Sequence, residues 1–341
     1  APTIGMMSHL LRKPKKHASD LSASLYRYLA SLSCGDFLTS SRFANKGLSR
    51  VMHKFRNGGA HDSRISEEDC RDCVKRLLGS KENPGYLQSL GDSWNLFHEP
   101  VALVEELVDQ SYSGLKVWPF DQVAIEYGPA RIPHRTIKAI VQPLHDISDK
   151  VGMDLDILVD GHAHFQLPAA LRIAEALREV QPLWLEDVIK MDNLDTVADF
   201  RRQSRMPISV SEMLLSRADY NSVLMNQAAD YVMIDPTWVG GISETARIAH
   251  LAETYNVPVS MHDCTGPLTL FAGLHVGAAV ANCCYQETVR AQIQTVYKEL
   301  IDVEVEIDDG FVGLPKGPGL GVRLNPDLFK LKRPGYRISK F

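Results

Sequence analysis

The sequence predicts an α/β fold built on a parallel sheet, because short apolar runs alternate regularly with amphipathic helical stretches from about residue 85 onward. The expected strands are 114–118, 155–159, 183–185, 208–210, 231–234, 257–261 and 283–286. The expected helices between them include 167–180, 194–204, 242–255 and 268–280. Seven or eight strand–helix units in about 200–250 residues have the size of a (β/α)8 barrel.

An open, doubly wound sheet is the alternative arrangement of the same elements. Such a sheet usually carries a glycine-rich phosphate-binding turn after its first strand. No G-x-G-x-x-G pattern stands at that position in this sequence. The closed barrel is therefore the favoured architecture.

The first 84 residues differ from the rest, since they are rich in Ser, Lys, Arg and Asn and poor in β-branched residues. A turn signal, Asn83-Pro84-Gly85, marks the boundary. We expect 1–84 to form a separate N-terminal region, 85–290 the barrel, and 291–341 a C-terminal segment that packs back on both. The C-x-x-C pair of Cys70 and Cys73 has no second pair at zinc-finger spacing, which is typical of reduced intracellular thiols.

Composition limits the classes of function. The chain has 341 residues, of which 45% are hydrophobic, so it can bury one large core. Its formal net charge is −5, and the sequence lacks the basic patch that is typical of a protein that binds nucleic acid. There is no apolar run of about 18 residues and no signal-peptide pattern. We therefore expect no membrane partner and a cytoplasmic location.

An acid or a histidine follows each of six expected strands, directly or, for Glu212, one residue later, and the functional argument depends on these residues. Catalytic groups of a barrel lie at the carboxyl ends of its strands, so these side chains should converge at one mouth. They are Asp160, Glu186, Glu212, Asp235, His262 and Glu287.

The first three of these residues predict a magnesium site. Asp160, Glu186 and Glu212 end successive strands at equal intervals along the chain. Packed together without a cation, three carboxylates would repel one another and their pKa values would rise. A ligand set of oxygens alone suits Mg²⁺ better than zinc. The alternative, three independent solvated loop acids, does not account for the regular spacing.

The next two residues predict a general base. Asp235 and His262 end neighbouring strands, and a carboxylate bonded to an imidazole fixes its tautomer and supports its protonated form. A purely structural histidine is the alternative for His262. Glu287 is either a protonated acid that donates to a developing oxyanion or a salt-bridged acid at the rim.

Two further cationic side chains are expected at the mouth. Lys116 lies on an early strand, where it must meet negative charge, such as a substrate carboxylate, unless its amine reaches solvent. His162 comes two residues after Asp160, so the two side chains project on the same side of an extended chain. His162 could act as a general acid. An exposed loop histidine is the alternative for His162.

Residues 86–328 resemble the mandelate racemase/muconate lactonizing enzyme subgroup of the enolase superfamily. The matching segments are 115–121 (LKVWPFD), 159–162 (VDGH), 184–187 (WLED), 211–212 (SE), 235–242 (DPTWVGGI), 262–267 (HDCTGP) and 317–321 (GPGLG). The resemblance implies a modified TIM barrel, (β/α)7β, with one Mg²⁺ on Asp160, Glu186 and Glu212 and an Asp235–His262 dyad. It also implies a small-molecule carboxylate substrate, an enediolate intermediate held on the metal, and a homo-oligomer.

Two departures from the family pattern refine the expected activity. Racemases of this subgroup usually carry Lys-x-Lys on the second strand, whereas Trp118 holds the second lysine position here. A one-base acid-sugar dehydratase, a lyase, is therefore favoured over a racemase or epimerase. The Asp-x-His pattern of Asp160 and His162 resembles that of some sugar-acid dehydratases, with His162 or His262 protonating the departing hydroxyl.

The second departure concerns the capping domain that closes the barrel in this family. The sequence pattern of its characteristic helix, Ala-rich with a Trp-Asp pair, is not recognisable in 1–84, so the capping region is expected to be divergent or truncated. A catalytically inactive barrel with a binding role is accordingly a third possible function.

Overall fold

A computed structural model of the protein describes residue 92, residues 95–152 and residues 154–330. The predicted N-terminal capping region 1–84, its boundary and the Cys70–Cys73 pair lie outside these residues. The described residues belong to two compact units. Residues 96–289 and 300–330 form the unit that carries the sheet, and residues 92, 95 and 290–299 belong to the other. The domain boundaries predicted from the sequence remain predictions.

A seven-stranded parallel sheet forms the centre of the larger unit, with its strands in chain order. The strands are β1 Gly114–Val117, β2 Asp156–Asp160, β3 Trp184–Glu186, β4 Ile208–Val210, β5 Tyr231–Ile234, β6 Val259–Met261 and β7 Cys283–Gln286. All seven coincide with strands expected from the sequence to within two residues at either end, which confirms the predicted fold class.

One helix precedes β1, and the helices after it follow strands, as expected for βα units. They are α1 Pro100–Asp109, α2 Asp121–Tyr127, α3 His134–Val151, α4 Leu167–Ala176, α5 Leu194–Ser204, α6 Arg217–Met225, α7 Ile242–Thr254 and α8 Pro267–Ala279. A short antiparallel pair, β8 Ile307–Asp308 and β9 Phe311–Val312, follows later in the same unit, and a 3₁₀ helix spans Pro326–Lys330. Among the described residues, no helix is long and apolar enough to cross a membrane.

The sheet curls so far that the Tyr285 side chain of the last strand, β7, reaches the beginning of the first two strands. The Tyr285 hydroxyl on β7 donates to the Asp156 carboxylate on β2 at 2.5 Å and lies 3.3 Å from the Ser113 carbonyl just before β1. A methyl group at Gly114 on β1 would lie 3.3 Å from the Tyr285 ring, so the close approach requires a small residue there. This curl is the barrel geometry that the alternating pattern predicts.

A small cluster of buried side chains fills the inside of the curled sheet. Leu158, Trp184 and Met233 are almost completely buried there, with Tyr231 and Tyr285 packed against them. The Trp184 ring lies 4.9 Å from the Tyr231 ring and 6.1 Å from the Tyr285 ring, measured between centroids. Residues two apart on a strand share a face, so the side chain of Glu186 projects to the same interior as Trp184.

The smaller unit is described over one short segment. Arg290–Gln292 forms a helical turn that continues into a π-helical turn, Ile293–Tyr297. The Arg290 guanidinium donates to the Asp92 carboxylate at 2.5 Å, and this ion pair joins two distant parts of the chain within the unit.

Candidate active site

Strand register brings the predicted residues to one rim of the sheet. Asp160 and Glu186 are direct partners at the carboxyl ends of β2 and β3. Because all strands run parallel, the residues that follow β4, β5, β6 and β7 lie at the same edge. Those residues are Glu212, Asp235, His262 and Glu287.

The Lys116 ammonium lies among three carboxylates at this edge. Its Nζ is 2.7 Å from Glu186 Oε1, 2.8 Å from Glu287 Oε1 and 3.9 Å from Asp160 Oδ2. Burial opposes the charged form, yet the carboxylates of Glu186, Glu287 and Asp160 raise the pKa of Lys116 well above its ordinary value. Lys116 therefore points into the site as a largely buried cation, with 11% of its side chain exposed.

The carboxylates at this edge outnumber the cations they contact. Burial raises the pKa of Glu186 to about 7, although Lys116 counteracts this effect. Burial also raises the pKa of Asp187 well above its usual range, with the nearby charges of Glu212, Asp160 and Glu186 adding to the rise. A hard divalent cation would relieve this repulsion, so the oxygen donors present fit the Mg²⁺ that the sequence predicts.

The magnesium ligand set remains a prediction in its details. Among the described residues, a different trio has ligand atoms within 4.8 Å of one another: Asp121, His162 and His164. The predicted ligands instead meet protein partners, since Lys116 contacts both Asp160 and Glu186 and the Ser211 hydroxyl donates to Glu212. Trp184 Nε1 donates to Glu186 Oε2 at 2.9 Å and orients that carboxylate.

Asp235 and His262 form the predicted dyad. His262 Nδ1 lies 2.8 Å from Asp235 Oδ2. The other oxygen of Asp235 accepts from the backbone N–H of Thr237 at 2.7 Å and from its hydroxyl at 2.6 Å. These bonds orient the carboxylate, which in turn holds the imidazole so that Nε2 faces the site.

His262 Nε2 lies 3.6 Å from both Glu212 and Glu287. Burial opposes protonation of the ring, but Glu287 and the bond to Asp235 raise the pKa of His262 well above its ordinary value. Glu287 itself pairs with Lys116 and accepts from the Asp263 N–H at 3.3 Å. These contacts place the Glu287 carboxylate between the Lys116 ammonium and the backbone of Asp263.

A second Asp–His pair lies next to Asp160, whereas the first pair lies next to Glu212 and Glu287. His162 Nδ1 is 2.7 Å from Asp121 Oδ2, while its Nε2 is 3.1 Å from Asp160 Oδ2. Although burial opposes it, the hydrogen bonds to Asp121 and Asp160 raise the pKa of His162 to about 11. The side chain of His162 is 37% exposed and therefore open to a substrate at the mouth.

Trp118 stands at the end of β1, beside His162. Its ring centroid is 5.8 Å from that of His162, and the residue is about half exposed. This position is the one that holds a second lysine in the racemases that the sequence resembles. In this protein the position supplies an apolar surface and a neighbour for His162, with no second base.

Two residues of the site received no role from the sequence. Asp187 follows Glu186 directly and is buried, with Oδ1 accepting from the Ser211 N–H at 3.0 Å. Asp121 begins α2 and contacts His162 across a long stretch of chain. Both residues lie inside segments that resemble the family, and that position is the one signal that could have identified them.

The loop that carries His162 is fixed by close backbone contacts with the segment after β3. The Gly161 N–H donates to the Glu186 carbonyl at 2.9 Å. A methyl group at Gly161 would lie 2.8 Å from the backbone Cα of Val188, a separation that real structures do not tolerate.

We therefore expect Gly161→Ala to lower the free energy of unfolding by about 1–3 kcal/mol, because the loop must move to relieve the clash. Denaturant titration measures this loss. Gly313→Ala is the matched control, since nothing lies within 4 Å of the added methyl group there. Equal stability of the two variants would contradict this account of the loop.

The rim of the sheet thus carries buried acids, a largely buried lysine and an Asp–His dyad, and comparison with known proteins identifies the family. Residues 99–328, more than half of the chain, match the family described as enolase C-terminal domain-like. The chain belongs to this family. Members of the enolase superfamily generally bind Mg²⁺.

Among proteins of known activity, the chain is similar to D-xylonate dehydratase of Haloferax volcanii, with 31% identity over 55% of this chain and 45% of that protein. It is also similar to D-gluconate/D-galactonate dehydratase of Picrophilus torridus, with 26% identity over 75% of this chain and 65% of that protein. The chain thus spans about half to two thirds of the length of these relatives.

Two solved structures show the same likeness. An enolase from environmental sequencing of the Sargasso Sea shares 39% identity, with a TM-score of 0.65 over 68% of this chain and 63% of that one. An enolase of the mandelate racemase subgroup from Agrobacterium tumefaciens shares 37% identity, with a TM-score of 0.64 over the same shares of the two chains.

Proposed function

We propose that the protein is a Mg²⁺-dependent lyase that dehydrates a sugar acid to a 2-keto-3-deoxy acid. The observation that carries this proposal is the pair of histidines on either side of the acidic cluster, each held by its own aspartate. Dehydration needs removal of the proton next to the carboxylate and protonation of the departing hydroxyl, and two separately held imidazoles can divide these tasks. The similarity to named sugar-acid dehydratases supports the same reaction.

His262 is the base in this mechanism. Its Nε2 faces the site while Asp235 holds Nδ1, so the ring can take the α-proton of the substrate and remain stabilised as an imidazolium. Lys116 supplies positive charge for the substrate carboxylate as the α-carbon loses its proton. Mg²⁺ bound by Asp160, Glu186 and Glu212 would stabilise the negative charge that develops on the same carboxylate.

His162 is the acid. The α-C–H and β-C–O bonds break, His262 keeps the proton, and the hydroxyl leaves as water with a proton from His162. The resulting enol tautomerises to the 2-keto-3-deoxy acid. Asp121 orients the His162 ring through Nδ1, which leaves Nε2 on the side of Asp160 and the mouth.

A screen of aldonic and aldaric acids with Mg²⁺ tests the proposal, with 2-keto-3-deoxy product and α-proton exchange in D₂O as the two readouts. Product from at least one acid is expected. Exchange with epimerised acid and no loss of water would instead show an epimerase. Neither product nor exchange from any acid would indicate a barrel with a binding role.

The acid role of His162 makes a separate prediction. We expect His162→Asn to retain α-proton exchange and to lower dehydration by about 10²-fold or more, because only the second step needs this proton. Asparagine suits the site because His162 has a φ of 45°, a conformation that Asn tolerates.

NMR in D₂O follows exchange and product in one sample. The control is His250→Asn, at an exposed position on α7. A parallel loss of exchange and dehydration in His162→Asn would assign both steps to one group and remove His162 as the acid.

A further inference from the structure

A second group of metal-type ligands lies beside the acidic cluster. Asp121 begins α2, and His162 and His164 belong to the loop after β2. Ligand atoms from the three side chains lie within 4.8 Å of one another. Two imidazoles and one carboxylate form a donor set that favours zinc and similar transition metals, unlike the oxygen-only set next to it.

One atom of this group is unsatisfied. Asp121 Oδ1 is buried and has no hydrogen-bond partner among the described residues. It is the oxygen that faces His164, whose Nε2 lies 4.0 Å away, too far for a hydrogen bond. A buried acceptor without a partner destabilises the fold. A cation between Asp121 and the two histidines would remove this destabilisation.

The backbone that carries the three ligands is already in place. Asp121 follows Phe120 and His164 precedes Phe165, and these two buried rings pack edge to face with centroids 6.4 Å apart. The His164 N–H donates to the Gly161 carbonyl, and the Phe165 N–H donates to Val188, both at 3.0 Å. The ligands are thus anchored by core packing and sheet-like hydrogen bonds rather than by a loose loop.

The distances fit one ion after small side-chain rotations. Two ligands of a tetrahedral zinc ion are about 3.3 Å apart, since each bond is about 2.0–2.1 Å long. His162 Nδ1 lies 2.7 Å from Asp121 Oδ2, and His164 Nε2 lies 4.0 Å from the other oxygen, Oδ1, so one distance is shorter and one longer than this value. The side chain of His164 is 41% exposed, so the fourth position would open to solvent.

We propose that Asp121, His162 and His164 form a second metal site, which binds a zinc-type ion and is distinct from the predicted Mg²⁺ site. Titration of Zn²⁺ into the protein in saturating Mg²⁺, followed by calorimetry, tests this. One equivalent should bind, and His164→Ala should weaken binding by about tenfold or more. His250→Ala, which removes an exposed histidine on α7, should bind zinc like the unchanged protein.

Three results would overturn the site: no zinc binding in saturating Mg²⁺, binding that His164→Ala leaves unchanged, or equal weakening in His250→Ala. None of these measurements needs a substrate, so they are independent of the proposed dehydration. Where dehydration is also found, zinc should inhibit it, because the ion would take the His162 nitrogen that Asp121 now orients. This last effect rests on the proposed function.

Discussion

Replacing His262 with asparagine is expected to lower α-proton exchange and dehydration together, by about 10³-fold each. The Nε2 of His262 faces the acidic cluster while the buried Asp235 carboxylate holds Nδ1. Asparagine keeps a polar side chain at the site but cannot take up a proton there. Both readouts should fall, because every later step needs the α-proton to leave first.

The measurement is NMR in D₂O on the substrate that the acid screen identifies. Mg²⁺ binding by calorimetry is the control, and it should match that of the unchanged protein. Persistent exchange in His262→Asn would mean that another group is the base and would favour an epimerase. The contrast with His162→Asn, in which exchange should persist, separates the base from the acid.

Replacing Lys116 with methionine is expected to lower the free energy of unfolding by about 3 kcal/mol in the absence of Mg²⁺. Methionine keeps the length of the side chain but removes the cation that contacts Glu186 and Glu287 at 2.7 and 2.8 Å. The buried Glu186 then lacks its positive partner, and a buried charge without a partner is costly. Added Mg²⁺ should reduce the loss, because it would supply positive charge to the same carboxylates.

Denaturant titration with and without Mg²⁺ measures both effects. The matched control is Lys150→Met, which breaks an ion pair with Glu105 whose side chains are about half exposed. Such surface pairs contribute about 0–1 kcal/mol. A similar loss for the two lysines would contradict the buried, charged role of Lys116, and a loss that Mg²⁺ does not reduce would contradict the predicted position of the metal.

The period of the apolar residues predicted the strands well, and the deviations have local causes. The sixth strand was expected at 257–261 but begins at Val259, because Pro258 has no N–H to donate to the ladder. The fourth helix was expected at 167–180 but ends at Ala176, where the backbone turns and Gln181 adopts a φ of 53°. Helix ends depend on such turns, which apolar periodicity does not encode.

The sequence by itself determined the parallel sheet and the positions of Asp160, Glu186, Asp235 and His262, because parallel strands place their carboxyl ends at one edge whatever the side chains do. Only the tertiary structure showed that Asp121 orients His162 and that Lys116 joins Glu186 to Glu287. These contacts link side chains far apart in the chain. They depend on strand register, on the curl of the sheet and on side-chain rotamers that charge and burial select. A local sequence pattern specifies none of these three features.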